Sequence, residues 1–531
     1  MYAIATDLAD AVEGIDMKTL VVVEESPEFK GELVFQPFQN EQIFFELYQD
    51  WLSRYLILNQ LFVLDDFVRQ LESDGYTVVF GESARPLLEG YERWRKPLDI
   101  KGFHAPGGGS LYEYQVFSLN RALERMELPE ANDRTYFCGW CPGAGKSVFA
   151  CAGAQEAVNR GQVDLVLAFT LMKLKTNLSN FFQANTSLQT VVNDGPAAKR
   201  KARYENGSQV FVLNYDKAWA DFEYLLPLVT GKRVLFILDE AQKVLTDGSP
   251  NRSRKHLDKL IQASEPVIWP MSATVVSHSP FKYRDVFSIG GFRRNPLGTK
   301  ADFEIRYAKR RRFFEIRTKS GGKFQQIFYD WDLPKLHEIR HRVADRCHNV
   351  RKTDPGIKEN FKGMQTVVIP VQMSKEDREL YDLVCEHARG AVEREESLAP
   401  YYRLLRYICN TPESLQHTNE QLGQALSQSY PKLASSDHCA KLEMLLDQVE
   451  SIRDSDDKVV VFCQWTHLGV LLLERHLAAR KIRYVLHYGV GQSDAESQRA
   501  QREFKSDPDI TVFLSSDAGA FGLNLQEARY V

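Results

Sequence analysis

The sequence predicts an α/β protein built on parallel sheets, and three observations carry that prediction. Short apolar runs at 135–138, 164–169, 209–213, 233–238 and 266–269 alternate with stretches of helical periodicity. Such alternation implies crossover connections and a sheet covered on both faces. The first run leads through CGWCPGAGKS, Cys138 to Ser147, into an Ala-rich helical stretch, and the fourth ends in Asp239, Glu240, Ala241 and Gln242. Both segments lie where open parallel sheets bind ligands, beyond the carboxyl ends of their strands.

Bulk properties narrow the classes. A chain of 531 residues exceeds what one core supports, and about three domains are expected. Hydrophobic residues at 44% and charged residues at 26% are an ordinary globular composition. The start, MYAIATDLADAVEG, lacks the basic head and apolar centre of a secretory signal. No apolar run approaches the roughly 20 residues that span a bilayer. The expectation is an intracellular, soluble protein with no membrane partner. A net charge of −4 does not advertise a nucleic-acid partner, but phosphate contacts need only a local basic groove. Of eight cysteines only Cys138 and Cys141 lie close together, inside the Gly-rich segment, and no second pair completes a structural zinc site.

Residues 1–104 read as a small α/β appendage, with β-rich runs at 19–23, 32–35 and 76–80 around a long amphipathic stretch at 40–74. Residues 101–110, KGFHAPGGGS, read as a linker, and the helical pattern LYEYQVFSLNRAL follows. In the Gly-rich segment, Gly143 and Gly145, flanking Ala144, permit backbone angles that let successive N–H groups converge on an anion at a helix N-terminus. Lys146 would reach the outer phosphates of a nucleotide and Ser147 would hold a magnesium ion. The general phosphate-loop pattern asks for glycine six residues before the lysine, where Trp140 stands. Gly161 closes the helix that follows. Asp239 would share the magnesium shell and Glu240 would orient or deprotonate the attacking water. Residues 309–312 are a basic run opening RRFFEIRTKSGGKFQQIFYDWD, a hairpin turning at Gly321 and Gly322, whose basic and aromatic residues suit a nucleic-acid backbone as well as a solvated face. Helical periodicity covers 335–346. A strand within 362–373 is expected to lead into a helix begun by Ser374 with Asp377 three residues on, and 391–434 is polar and helical. Runs 459–462 and 511–514 read as buried strands.

The order GAGKS, DEAQ, then Ser272-Ala273-Thr274 resembles the first RecA-like lobe of a superfamily 2 helicase or translocase. The variant loop of that superfamily needs only G-x-G-K-[ST], which Gly143, Gly145, Lys146 and Ser147 satisfy. SKEDRELYDLV from Ser374, KVVVFCQWT and ITVFLSSDAGAFGLNL resemble the second lobe of Swi/Snf-type members, with 515–525 similar to motif V. The resemblance covers roughly 105–531 and is similar in layout to small phage-encoded and fork-remodelling members. It implies two RecA-like lobes: 105–290 as the first, 291–350 as an insertion and connection, and 351–531 as an incomplete second. It further implies ATP and Mg2+ as cofactors, Gln115 reading the adenine edge, Gln242 coupling the nucleotide site to the SAT segment, and Gly522 on the nucleotide side of motif V. Thr170, Lys173, Asn214, Tyr215, Gln464 and Ser515 match positions that meet a nucleic-acid backbone. The activity implied is DNA-dependent ATP hydrolysis that drives movement along double-stranded or forked DNA. An RNA helicase, or an ATP-gated DNA-binding module without turnover, are the alternatives. Motif VI, whose arginines reach the γ-phosphate in the family, is not found before Val531, and Arg499 and Arg502 precede motif V. An arginine finger contributes on the order of 10³ to 10⁵ in turnover, so the expectation is ATP binding with poor hydrolysis, the chain being a fragment, completed by a second polypeptide, or inactive.

Overall fold

The computed structural model describes residues 4–5, 20–28, 32–37, 47, 55–246, 249–274, 279–292, 294–317, 323–360, 365–393, 397–418, 420–434, 439–489, 491–516, 525 and 527–531. They form two units, Met1–Gly363 and Met364–Val531.

The first unit opens with a five-stranded mixed sheet of β1 (Ile4–Ala5), β2 (Leu20–Glu25), β3 (Glu32–Pro37), β4 (Tyr55–Ile57) and β5 (Thr77–Gly81), in the order β1-β5-β2-β3-β4. β2 and β3 run antiparallel with Val23 opposite Phe35, and both side chains are fully buried. Within the amphipathic stretch read over 40–74, the described residues include an α-helix at Leu64–Ser73, where Leu64, Phe67, Val68 and Leu71 bury one face at i, i+3, i+4 and i+7. Residues 55–57 instead extend the sheet as β4, pairing with β3, and residues 38–46 and 48–54 lie outside the description.

A seven-stranded sheet follows, entirely parallel. Its strands are β6 (Phe137–Trp140), β7 (Leu165–Thr170), β8 (Thr190–Val192), β9 (Val210–Asn214), β10 (Arg233–Asp239), β11 (Glu265–Met271) and, after the hairpin of β12 (Ala308–Arg317) and β13 (Lys323–Trp331), β14 (Cys347–Val350). The order is β14-β6-β11-β10-β7-β9-β8. Alternate residues of each strand enter opposite cores: Val166, Ala168, Leu235 and Ile237 join one, and Leu165, Leu167, Val234 and Phe236 join the other. Burial on both faces is why these strands read as continuous apolar runs rather than alternating ones. The first of these cores also contains Val21, Val23, Leu33 and Phe35, so the N-terminal sheet and the central sheet share it. The segment read as a linker is tied down: Phe103 bridges Thr186, and the Gly102 turn, at φ 79°, packs against Ser187.

β8 and β14 escaped the sequence reading, because TVV and CHNV are too short to stand out from flanking helical patterns. β14 completes the sheet beside β6, with Val350 opposite Trp140. The predicted hairpin is present as β12 and β13, and its turn lies outside the described residues. Its base is held by ring contacts of Tyr329 and Trp331 with Phe281, at 5.2 and 5.1 Å.

The second unit holds a helical cluster and a small sheet. Helices Lys375–Glu393, Ala399–Asn410 and Gln421–Ser429 pack around Leu380, Val384, Leu404, Ile408, Leu415 and Leu426. The first begins as predicted, with Ser374 Oγ accepting the Asp377 N–H at 3.0 Å. The expected strand before it is absent among the described residues: 365–373 is irregular, with Val367 and Val368 exposed. Parallel strands β15 (Val459–Phe462), β16 (Tyr484–His487) and β17 (Val512–Ser515), ordered β15-β17-β16, carry helices Ala440–Asp454, Leu471–Ala479 and Asp494–Ser506.

Candidate nucleotide site

The carboxyl ends of β6, β7, β9, β10 and β11 lie along one edge of the central sheet. The register sets Thr170 opposite Asn214, Asp239 opposite Met271, and Met271 opposite Cys138. Beyond β6 the loop turns into the helix Lys146–Asn159 through Gly143 (φ 84°) and Gly145 (φ 86°). No side chain caps that helix, so its first amides, which no intrahelical carbonyl can reach, are open to an anion. The loop is held from behind. The Ala144 carbonyl accepts from Tyr114 Oη at 2.8 Å and from Gln115 Nε2 at 3.1 Å, while Gln115 Oε1 accepts the Tyr112 N–H at 3.0 Å. Both ends of the Gln115 amide are thus engaged within the chain. Trp140, at the position where the general pattern has glycine, is fully buried against the rings of Tyr114, Phe149 and His348 at 5.3, 5.3 and 5.8 Å. Its carbonyl accepts from Lys146 Nζ at 2.9 Å. The aromatic departure from the pattern is a floor under the loop.

Asp239 accepts from Thr170 Oγ1 at 2.8 Å, and burial together with the neighbouring Glu240 charge pushes its carboxyl up to about 6, against the opposing pull of Thr170 and Lys146. Glu240 sits in the left-handed region (φ 51°, ψ 50°), a conformation costly for a residue with a side chain and frequent at functional sites. Its Oε2 accepts from Gln242 Nε2 at 2.6 Å. Gln242 Oε1 accepts from Ser272 Oγ at 2.6 Å, and Ser272 Oγ accepts the Thr274 N–H at 3.1 Å. A continuous hydrogen-bond relay therefore joins the end of β10 to the SAT segment after β11. Ser147 and Asp239 offer the oxygen donors that a hard divalent cation takes, and a raised carboxyl beside a lysine suits a place that a cation would neutralise. Among the described residues no group of three or more His, Cys, Asp or Glu side chains forms a metal cluster. Burial pushes the Cys138 thiol well above its ordinary value and raises that of Cys141, which keeps both protonated and unreactive at neutral pH.

The residues expected to meet a nucleic acid distribute unevenly. Thr170 and Tyr215 are buried and turned to Asp239, the tyrosine hydroxyl donating to the Asp239 carbonyl at 2.7 Å. Asn214 is buried, its Oδ1 without a hydrogen-bond partner among the described residues. Lys173 lies in the turn after β7 and is partly exposed. In the second unit Gln464 is exposed after β15, while Ser515, at the end of β17, is buried against His487 Nδ1 at 3.1 Å. Gly519 and Gly522 lie outside the described residues. Arg499 is exposed on the helix Asp494–Ser506, facing Glu503.

Residues 440–531 match the family described as helicase conserved C-terminal domain. Over 127 residues, 24% of this chain, the sequence is 30% identical to Helicase SWR1 of Kluyveromyces lactis, and over 214 residues, 39% of this chain, 22% identical to the CHD3-type chromatin-remodeling factor PICKLE of Arabidopsis thaliana. The chain spans only 8% and 15% of the length of those two relatives. Among solved structures it is similar to the Sulfolobus solfataricus SWI2/SNF2 ATPase core in complex with dsDNA (17% identity, 82% of each chain, TM-score 0.40). It is also similar to the Pyrococcus furiosus Hef helicase domain (13% identity, 79% of this chain and 88% of that one, TM-score 0.44).

Tyr114, Trp140 and Ser272 are parts of the site to which sequence reasoning assigned no role. Ser272 stood in a recognised motif without an assigned partner. The signal for Tyr114 was its adjacency to Gln115 on one helical turn, and for Trp140 the departure from the loop pattern itself. No helix among the described residues is long and apolar enough to cross a membrane.

Proposed function

We propose that this chain is a DNA-dependent ATPase that couples ATP hydrolysis to movement along double-stranded DNA. The observation that carries the reading is the relay Glu240–Gln242–Ser272–Thr274, set beside an uncapped helix N-terminus bearing Lys146 and Ser147. The phosphates of ATP take the loop amides of 143–147 and the Lys146 ammonium, which leaves its resting partner, the Trp140 carbonyl, to do so. Ser147 and Asp239 would hold Mg2+, which when bound neutralises the phosphate oxygens. Glu240, steadied at Oε2 by Gln242, keeps Oε1 for the attacking water and accepts its proton. Movement of the SAT segment shifts Ser272, hence Gln242, hence the carboxylate, and gives DNA binding a physical route to the hydrolytic step. Residues 1–104 support the loop-bearing unit of 105–290, with 291–350 as an insertion and 351–531 as the second lobe; Lys173 and Gln464 are the exposed members of the proposed DNA contacts. The test is a pair of substitutions. Lys146→Ala is expected to lose nucleotide binding, and Glu240→Gln to bind nucleotide normally while turnover falls by about 10² or more. Full turnover in Glu240→Gln contradicts the assignment.

A further inference from the structure

A cavity of about 190 Å³ in the first unit is lined by Trp94, Arg121, Glu124, Arg125, Leu128 and Asp345. It lies where three parts of the chain meet: the end of the helix Arg85–Trp94, the last turns of the helix Glu113–Met126, and the turn Ala344–Arg346 before β14. Its cationic wall is incompletely satisfied. Arg121 is only 3% exposed, donates through Nη2 to the Ala344 carbonyl, and is ringed by Trp94, Phe117 and Tyr136 at 5.4, 5.5 and 5.8 Å. Among the described residues it forms no ion pair, and its buried Nη1 has no hydrogen-bond partner. One turn on, Arg125 holds the Asp345 carboxylate at 3.1 Å and the Asp133 carbonyl, and its Nε is likewise buried without a partner. Burial, opposed by Asp345 and reinforced by the Arg346 and Arg121 charges, pushes the Arg125 guanidinium below its ordinary value. The carboxylates on the wall are already engaged: Glu124 by Arg93 at 3.1 Å and the Trp94 indole N–H, Asp345 by Arg346 at 3.0 Å as well as by Arg125. Arg346 also holds Asp133 at 3.2 Å. Arg93, Arg121, Arg125 and Arg346 thus face Glu124, Asp133 and Asp345, and one positive charge, that of Arg121, is left over.

A buried charged donor without an acceptor is among the costlier groups a fold can carry. Water would satisfy the N–H groups and leave the charge; an anion answers both. Residues four apart on a helix share a face, so Arg121 and Arg125 present their spare N–H groups to the same cavity. A carboxylate, with two acceptor oxygens in one plane, is the anion a guanidinium matches best. A single surplus charge suits a monoanion, since Glu124 and Asp345 would repel a multiply charged group such as a phosphate chain. The Trp94 ring and Leu128 add apolar wall, and the volume is several times the roughly 30 Å³ that one water takes in the liquid. We propose that this cavity is a binding site for a small organic monocarboxylate, its oxygens accepting from Arg121 Nη1 and Arg125 Nε and its apolar body resting on Trp94 and Leu128. The occupant ties together three segments distant in sequence and takes no part in phosphate chemistry, so its binding is read without nucleotide.

The experiment uses the full chain with para-fluorobenzoate as the probe, followed by fluorine-NMR line broadening and by thermal unfolding at fixed ionic strength. Saturable broadening with a dissociation constant at or below about 1 mM is expected, together with a rise in the unfolding midpoint as the probe is added. Benzoate should displace the probe, whereas benzamide, of the same shape without the charge, should not. Arg121→Gln removes the surplus charge and is expected to weaken binding at least about tenfold. Leu128→Trp fills the cavity from a half-buried position. It is expected to abolish the broadening while its midpoint without probe stays that of the parent chain, which separates loss of the site from damage to the rings around Arg121. Broadening that survives Leu128→Trp, or that benzamide or inorganic phosphate reverses as well as benzoate does, overturns the proposal. So does the absence of broadening in the parent chain at about 10 mM probe, since the cavity then holds water.

Discussion

At the scale of single residues, Asp239 is the group whose chemistry is most constrained. Its carboxyl is pushed up to about 6 by burial and by Glu240, well above the roughly 3.9 it has in an unfolded chain. A carboxyl raised on folding favours the folded state fully below the unfolded value, and that contribution is lost as pH rises through 6. Metal-free protein is therefore expected to lose stability between about pH 4 and pH 6 from this group. Asp239→Asn should remove that component, leaving the variant more stable than the parent at pH 7.5 in urea unfolding. The same proton competes with a cation, so the magnesium concentration needed for half-maximal turnover should rise as pH falls from 7 to 5. A magnesium requirement independent of pH over that range would separate Asp239 from the metal. Ser272 makes a second residue-scale prediction. Ser272→Ala removes the donor to Gln242 and the acceptor for the Thr274 N–H, so it should preserve nucleotide affinity while reducing the stimulation of hydrolysis by DNA.

At the scale of elements, the loop and its supporting helix act together. An added Cβ on Gly145 would lie 2.4 Å from Gln115 Nε2, at a φ of 86° that side chains avoid. Gly145→Ala should cost more than about 1 kcal/mol and weaken nucleotide binding, read by thermal unfolding with and without nucleotide. This level also shows what was legible in the sequence. Five of the seven central strands announced themselves, because burial on both faces makes them apolar throughout, and the loop, the acidic pair and the SAT segment followed at their ends. β14 was hidden, since CHNV carries two polar residues and is placed by pairing with β6, a contact more than 200 residues away in sequence. The amphipathic stretch read over 40–74 contains β4, since YLI is recruited by the edge of β3. Thr170 and Tyr215, which the resemblance places at a nucleic-acid backbone, direct their hydroxyls to Asp239, a direction that sequence does not give. The Gln115 amide, expected at a nucleobase, is occupied at both ends by the loop and by Tyr112.

At the scale of the whole molecule, the N-terminal sheet is part of the body that carries the site. Trp94 meets Phe117 edge to face at 5.7 Å and lies under the Arg121 guanidinium at 5.4 Å, while Phe62 meets Tyr114, the residue that holds Ala144. A chain lacking residues 1–100 should lose solubility or nucleotide binding, and a truncation that binds nucleotide as the full chain does would contradict this dependence. The fold places the phosphate loop, the raised carboxyl and the hydrogen-bond relay at the ends of five neighbouring strands, and every part of the functional reading depends on their acting as one ATPase centre that responds to DNA. The most direct measurement is steady-state ATP hydrolysis by the full chain without nucleic acid, with duplex DNA and with single-stranded RNA, using Lys146→Ala as the blank. Turnover that rises with duplex DNA, rises less with RNA and vanishes in the blank is the predicted result. Turnover indifferent to duplex DNA, or equal in Lys146→Ala, would contradict it.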